Sequence, residues 1–193
     1  MPKFAVFLRA INVGGHTVKM DMLRGLFEAQ GYTEVETFIA SGNVVFAAPG
    51  IDTIALEEAI STTLREALGY KVAAFVRTGA ELNRIATREA FRPAAVSAAA
   101  ALNVGFLHAA PDEPAVQKLL ALQTGIDEFA FCGREVYWLC RKKQSESTFS
   151  NAVLEKTLGV PSTLRGIDTV RKIAAKYFPP GGCSPSAAEL STG

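Results

Sequence analysis

The sequence predicts an α+β protein built from two ferredoxin-like, split β-α-β subdomains, each a mainly antiparallel sheet with helices. Two observations carry this. Short alternating apolar runs and runs of helical period follow one another as strand, helix, strand, strand, helix, strand. The same order then returns after residue 101.

The elements follow in order. Residues 3–9 (Lys3-Phe4-Ala5-Val6-Phe7-Leu8-Arg9) read as a strand. Residues 19–30 read as a helix with Met20, Leu23, Leu26 and Phe27 as its apolar stripe, stopped by Gly31. Residues 33–40 and 43–48 form strands around the turn Ser41-Gly42-Asn43. Asp52 caps a helix carrying Leu56, Ile60 and Leu64, and Gly69 ends it. Residues 71–77 are a strand, and Thr78 with Glu81 forms a capping box for the next helix.

The second set repeats the plan: a strand over 102–107, a helix over 111–123, paired strands over 128–132 and 135–140 around Gly133. Ser147 or Thr148 is expected to cap a helix containing Phe149, Val153, Leu154 and Leu158. A short strand at 162–165 precedes a helix capped by Asp168. The predicted organisation is a subdomain over 1–90, a connector over 91–101, a subdomain over 102–178, and a Pro/Gly/Ser-rich mobile tail over 179–193. Residue-level repetition between the halves is weak.

Composition narrows function. The chain is 49% apolar and 20% charged, so it builds an ordinary core, and a net charge of +1 disfavours nonspecific nucleic-acid binding. Three cysteines, none spaced C-x-x-C, and an N-terminus without signal-peptide layout lead us to expect a reduced, cytoplasmic protein with no membrane span. Two histidines and no paired cysteines make a metal site improbable, and no motif calls for a cofactor.

The richest stretch runs from Phe7 to Lys19, from an apolar strand through a paired-glycine loop into a helix. In a split β-α-β unit the end of the first strand and the turn after the second strand share one rim. This gathers Arg9, Asn12, Gly14, Gly15, His16, Lys19, Ser41 and Asn43, with Tyr70 and Lys71 beside them. Cationic groups, glycine backbone and a helix N-terminus suit a small anionic or phosphate-bearing ligand. The spacing is neither G-x-G-x-x-G nor a Walker A loop, so no nucleotide is specified. His16 is the candidate acid or base if the protein is an enzyme. The alternative is that the loop makes only a tight turn, tied by its polar residues to the hairpin.

Two strands share the pattern Lys-x-Ala-x-Phe-x-Arg, at 3–9 and 71–77. Alternation would place Phe7, Phe75 and Phe38 with Lys3, Arg9, Lys71 and Arg77 on one sheet face. Exposed, this face would stack nucleic-acid bases. Covered, it would pack on the second half or on another subunit. The stacking reading is the weaker, because the RNP1 pattern is absent.

Leu8-Arg9-Ala10-Ile11-Asn12-Val13-Gly14-Gly15 followed by Lys19-Met20, together with Ser41-Gly42-Asn43-Val44-Val45-Phe46, resembles two signatures of the bacterial domain of unknown function family 1697. Residues 149–161 are similar to a third. The resemblance implies two ferredoxin-like subdomains and no reaction. The family usually has Gly where this chain has Ala10. It usually reads Arg-Asn-Trp before a Thr where this chain has Arg165-Gly166-Ile167-Asp168-Thr169.

Overall fold

The computed structural model describes residues 1–12, 15–50 and 52–179. Gly14 of the candidate set and the tail from residue 180 lie outside them. The fold is α+β, with two four-stranded antiparallel sheets. The first half comprises β1 (Lys3–Arg9), α1 (Met20–Ala29), β2 (Thr33–Thr37), β3 (Asn43–Ala47), α2 (Thr53–Leu68), β4 (Ala73–Thr78) and α3 (Gly79–Thr87). α4 (Pro93–Ala98) follows. The second half comprises β5 (Ala101–Phe106), α5 (Glu113–Leu120), β6 (Asp127–Cys132), β7 (Glu135–Cys140), α6 (Asn151–Leu158), β8 (Thr163–Gly166) and α7 (Ile167–Tyr177). Strand order is β2-β3-β1-β4 in one sheet and β6-β7-β5-β8 in the other, so corresponding strands take corresponding places.

Local chemistry explains most boundaries. The Asp52 carboxylate accepts from the Ile54 and Ala55 N–H groups, and Gly69 closes α2 in the left-handed region at φ 78°. The Thr78–Glu81 capping box forms. Gly42 is required twice over. Its φ is 71°, and a Cβ there would lie 2.9 Å from Ile11 Cβ.

Several expected boundaries shift. β2 ends at Thr37, and Ile39, at φ 51°, is turned out of the extended conformation needed to continue it. The connector holds helix α4, opened by Pro93 at a position where its missing N–H costs nothing. The helix expected over 111–123 is shorter. Asp112 accepts from Ala115 N–H to start α5. Ser150, not Ser147 or Thr148, caps α6, because the Ser147 hydroxyl donates to Asp127 Oδ2 at 2.8 Å. Asp168 lies in the first turn of α7 and pairs with Arg171, while Gly166 takes the cap position.

Three apolar clusters stack through the molecule. In the first, Phe4, Val6 and Leu8 pack with Leu23, Phe27, Ile60 and Leu64 of α1 and α2. In the last, Val136 and Trp138 pack with Leu119 and Leu154 of α5 and α6. The middle cluster joins the halves. Phe7 and Phe75 meet Val104, Phe106 and Tyr137 of the other sheet, flanked by Leu82 and Ile85 of α3 and by Val170 and Ile173 of α7. Phe7 stacks on Phe106 with ring centroids 4.0 Å apart. This overturns the exposed base-stacking face: Phe7 and Phe75 are both 0% exposed. Burying two aromatic side chains against the second sheet outweighs keeping them in water.

Candidate functional site

The middle cluster is bounded by two arginines in matching places. In the strand registers Phe7 lies opposite Asn43 and Phe106 opposite Glu135, while Arg77 lies opposite Ala5 and Arg165 opposite Val104. Arg77, next to last in β4, reaches into the second half. It donates to Glu135 Oε1 (2.6 Å), to the Leu107 carbonyl (2.8 Å) and to its own neighbour's carbonyl, Val76 (2.9 Å). Arg165, next to last in β8, reaches into the first. It donates to Asn43 Oδ1 (2.6 Å), the Leu8 carbonyl (2.8 Å) and the Leu164 carbonyl (2.8 Å). Further bonds to Thr163 Oγ1 (2.7 Å) and the Ser41 carbonyl (2.7 Å) complete all five of its N–H groups. Their guanidinium carbons sit 5.3 Å from the Phe106 ring centroid for Arg77 and 6.0 Å from that of Phe7 for Arg165. The halves are therefore related by an approximate twofold.

The equivalence extends to the helices. Glu57 of α2 and Glu155 of α6 each stand five residues after their cap residue, Asp52 and Ser150. Glu57 accepts from Val76 N–H (2.8 Å), and Glu155 from Ser162 N–H (2.9 Å). Each carboxylate thus saturates an outward N–H next to or within the last strand of its sheet. Each also faces the end of the other half's first strand. Arg9 binds Glu155 through Nε (3.2 Å) and Nη2 (3.3 Å), and His108 Nε2 lies 3.9 Å from Glu57 Oε2.

A cleft runs between the halves here. One lobe, about 570 Å³, is lined by Arg9, Ala10, Lys71, Ala73, Glu155, Lys156 and residues 159–161. The other, about 700 Å³, is lined by Glu57, Ser61, Thr62, Arg65, Val72 and His108 among others. Lys71, Ala73 and Pro161 belong to both lobes. Burial pushes the Glu57 carboxyl up to about 7, against the opposing pull of the Val76 N–H, Arg134 and Arg77. Arg134 bridges Glu57 (3.3 Å) and Glu81 (3.0 Å), tying the second half to α2 and α3. Desolvation, helped by Arg9, lowers Arg165 to about 10.

The predicted candidates divide among these features. Arg9 lines the cleft. Asn12, at φ 54°, donates to the Ala40 carbonyl (2.9 Å) and accepts from Val18 N–H (2.7 Å), stapling loop to hairpin. Asn43 is 1% exposed; besides accepting from Arg165, it donates to the Phe38 carbonyl and to Ser41 Oγ. Their polar groups are spent on protein. Gly15 has φ 87°, and among the described residues nothing lies within 4 Å of a Cβ there. His16 is exposed and stacks on Tyr70 at 3.8 Å; among the described residues no hydrogen bond is made to its ring. Lys19 is exposed at the start of α1. Sequence reasoning missed Glu57, His108, Glu155 and Lys156. The signal was available only in part, as a Glu at the same offset from two helix caps.

The fold and site define a class: an internally repeated α+β protein with two facing antiparallel sheets and a polar cleft between its halves. More particularly, the chain belongs to the family described as "Protein of unknown function (DUF1697)", whose model matches residues 1–137. That match ends inside β7, so the third motif, at 149–161, lies beyond it. The fold is similar to that of the conserved bacterial protein SP0830 from Streptococcus pneumoniae, with a TM-score of 0.66 at 22% identity over 90% of this chain and 97% of that one. None of the curated proteins matches this chain. Among the described residues no helix is long and apolar enough to cross a membrane.

Proposed function

We propose that the protein is a cytoplasmic binding module for a small anionic or phosphate-bearing ligand, and that each half is a ferredoxin-like unit. The ligand's seat is the 570 Å³ lobe, where Arg9, Lys71 and Lys156 line one recess against a single carboxylate, Glu155. That excess of positive charge between two rigid halves is the observation that carries the reading. Arg9 is held in place by Glu155 and needs no reordering to offer its remaining donors. Of the predicted set this reading retains Arg9. A site at Gly15, His16 and Lys19 is the competing placement.

Calorimetric titration with inorganic phosphate and with simple phosphate esters tests it. Wild type is expected to bind, and Lys71→Ala combined with Lys156→Ala to lose binding with an unchanged melting temperature. Binding that survives this double change but is lost in Lys19→Ala would move the site to the glycine loop. No binding by wild type would end the reading.

A further inference from the structure

The two lobes of the cleft are the two sides of the approximate twofold, and their residues have diverged in opposite directions. Where one presents Arg9, a pure donor, the other presents His108. His108 Nε2 lies 3.0 Å from the Ala74 carbonyl oxygen. A carbonyl only accepts, so Nε2 carries the hydrogen and the neutral ring keeps Nδ1 as an acceptor. Burial, with Arg77, Arg134 and Lys71 near, lowers the ring's pKa and favours that neutral form, against the opposing bond to Ala74. The ring is fixed further by stacking on Phe75 at 4.4 Å. Val72, Ala73 and Pro161 line the same lobe as His108, and Ala73 and Pro161, with Lys71, line the basic lobe as well.

We infer that both lobes form one elongated site, whose ligand joins an anionic group to an apolar body bearing an N–H or O–H donor. The anion lies on Arg9, Lys71 and Lys156, the body crosses Ala73 and Pro161, and the donor meets His108 Nδ1. This rests on the anion reading above and adds the rest of the ligand to it.

The test compares inorganic phosphate, phenyl phosphate and 4-aminophenyl phosphate on the full chain. Phenyl phosphate is expected to bind about tenfold tighter than phosphate, as burial of part of a ring allows. The amine should add a further gain of about threefold, of the size of one net hydrogen bond. Thr62→Trp, at an exposed position lining only the larger lobe, should erase the ring's gain and leave phosphate affinity intact. His108→Phe should erase only the amine's gain. Equal affinities for phosphate and phenyl phosphate would overturn the elongated site while leaving the anion reading standing. A ring gain that Thr62→Trp does not touch would overturn it as well, and no gain from the amine would overturn the role of His108. Failure of all three probes to bind would remove both.

Discussion

Arg77 and Arg165 do the same job with opposite electrostatics. Both insert from a last strand into the end of the other half, and both bind through Nε at 2.6 Å. Arg77 is 0% exposed and meets carboxylates, Glu135 at 2.6 Å and Glu57 at 3.5 Å. Arg165 is half-buried and meets only an amide, a hydroxyl and carbonyls. The geometry of the fork thus holds the halves together in both places: five bonds to neutral acceptors hold Arg165, while Arg77 is matched by carboxylates as well.

The comparison breaks most sharply at Arg77. Arg77→Ala leaves Glu135 and Glu57 buried beside one fewer cation and should cost about 3–5 kcal/mol in urea unfolding. Arg165→Ala strands neutral acceptors and no charge, and should cost less, about 2–3 kcal/mol. If the two losses were reversed, counter-charge would not be what distinguishes the clamps. Glu135→Gln makes the first clamp resemble the second. It keeps an acceptor for Nε and should cost only about 1–2 kcal/mol.

Glu57 gives the comparison a pH axis. Its folded value of about 7 stands above the ordinary 4.5, so between these the folded state holds the extra proton. Stability from this group is complete below 4.5, falls as pH rises to about 7, and is level beyond. Glu57→Gln should flatten that slope, which for a buried carboxyl raised from 4.5 to about 7 is on the order of 3 kcal/mol. Thermal melts across this range would show it, and an unchanged slope would contradict it. No such slope is expected from the Arg165 clamp below pH 9. The smallest effect is at Ala10, beside Arg9. Its φ of 70° is left-handed, and Ala10→Gly should stabilise by about 0.5–1 kcal/mol.

The order of strands and most helices was legible because most elements carry their own period and several helices their own cap or stop; α4, in the expected connector, carries no side-chain cap. The Asp52 and Thr78 caps and the Gly69 stop act within a few residues of themselves. The Lys-x-Ala-x-Phe-x-Arg pattern showed that one sheet face was unusual. It did not tell a covered face from an exposed one, because burial there depends on Phe106, in a different sheet. Of the candidate residues, Arg9 lines the cleft between the halves. Asn12 and Asn43 could be read in sequence either as ligand groups or as ties between loop and hairpin; in space their side chains bond to Ala40, Phe38 and Arg165. The cleft itself lies between halves, and no local pattern encodes how two sheets dock. Ala10, where the resemblance implied a glycine, has a left-handed backbone at φ 70°.

The most direct test of the account is an amide-resolved NMR titration of the full chain with inorganic phosphate. Saturable shifts are expected at residues 9–10, 71–73 and 155–160, on both sides of the cleft, with the glycine loop little changed. Shifts confined to residues 15–19, or none at any residue, would contradict it.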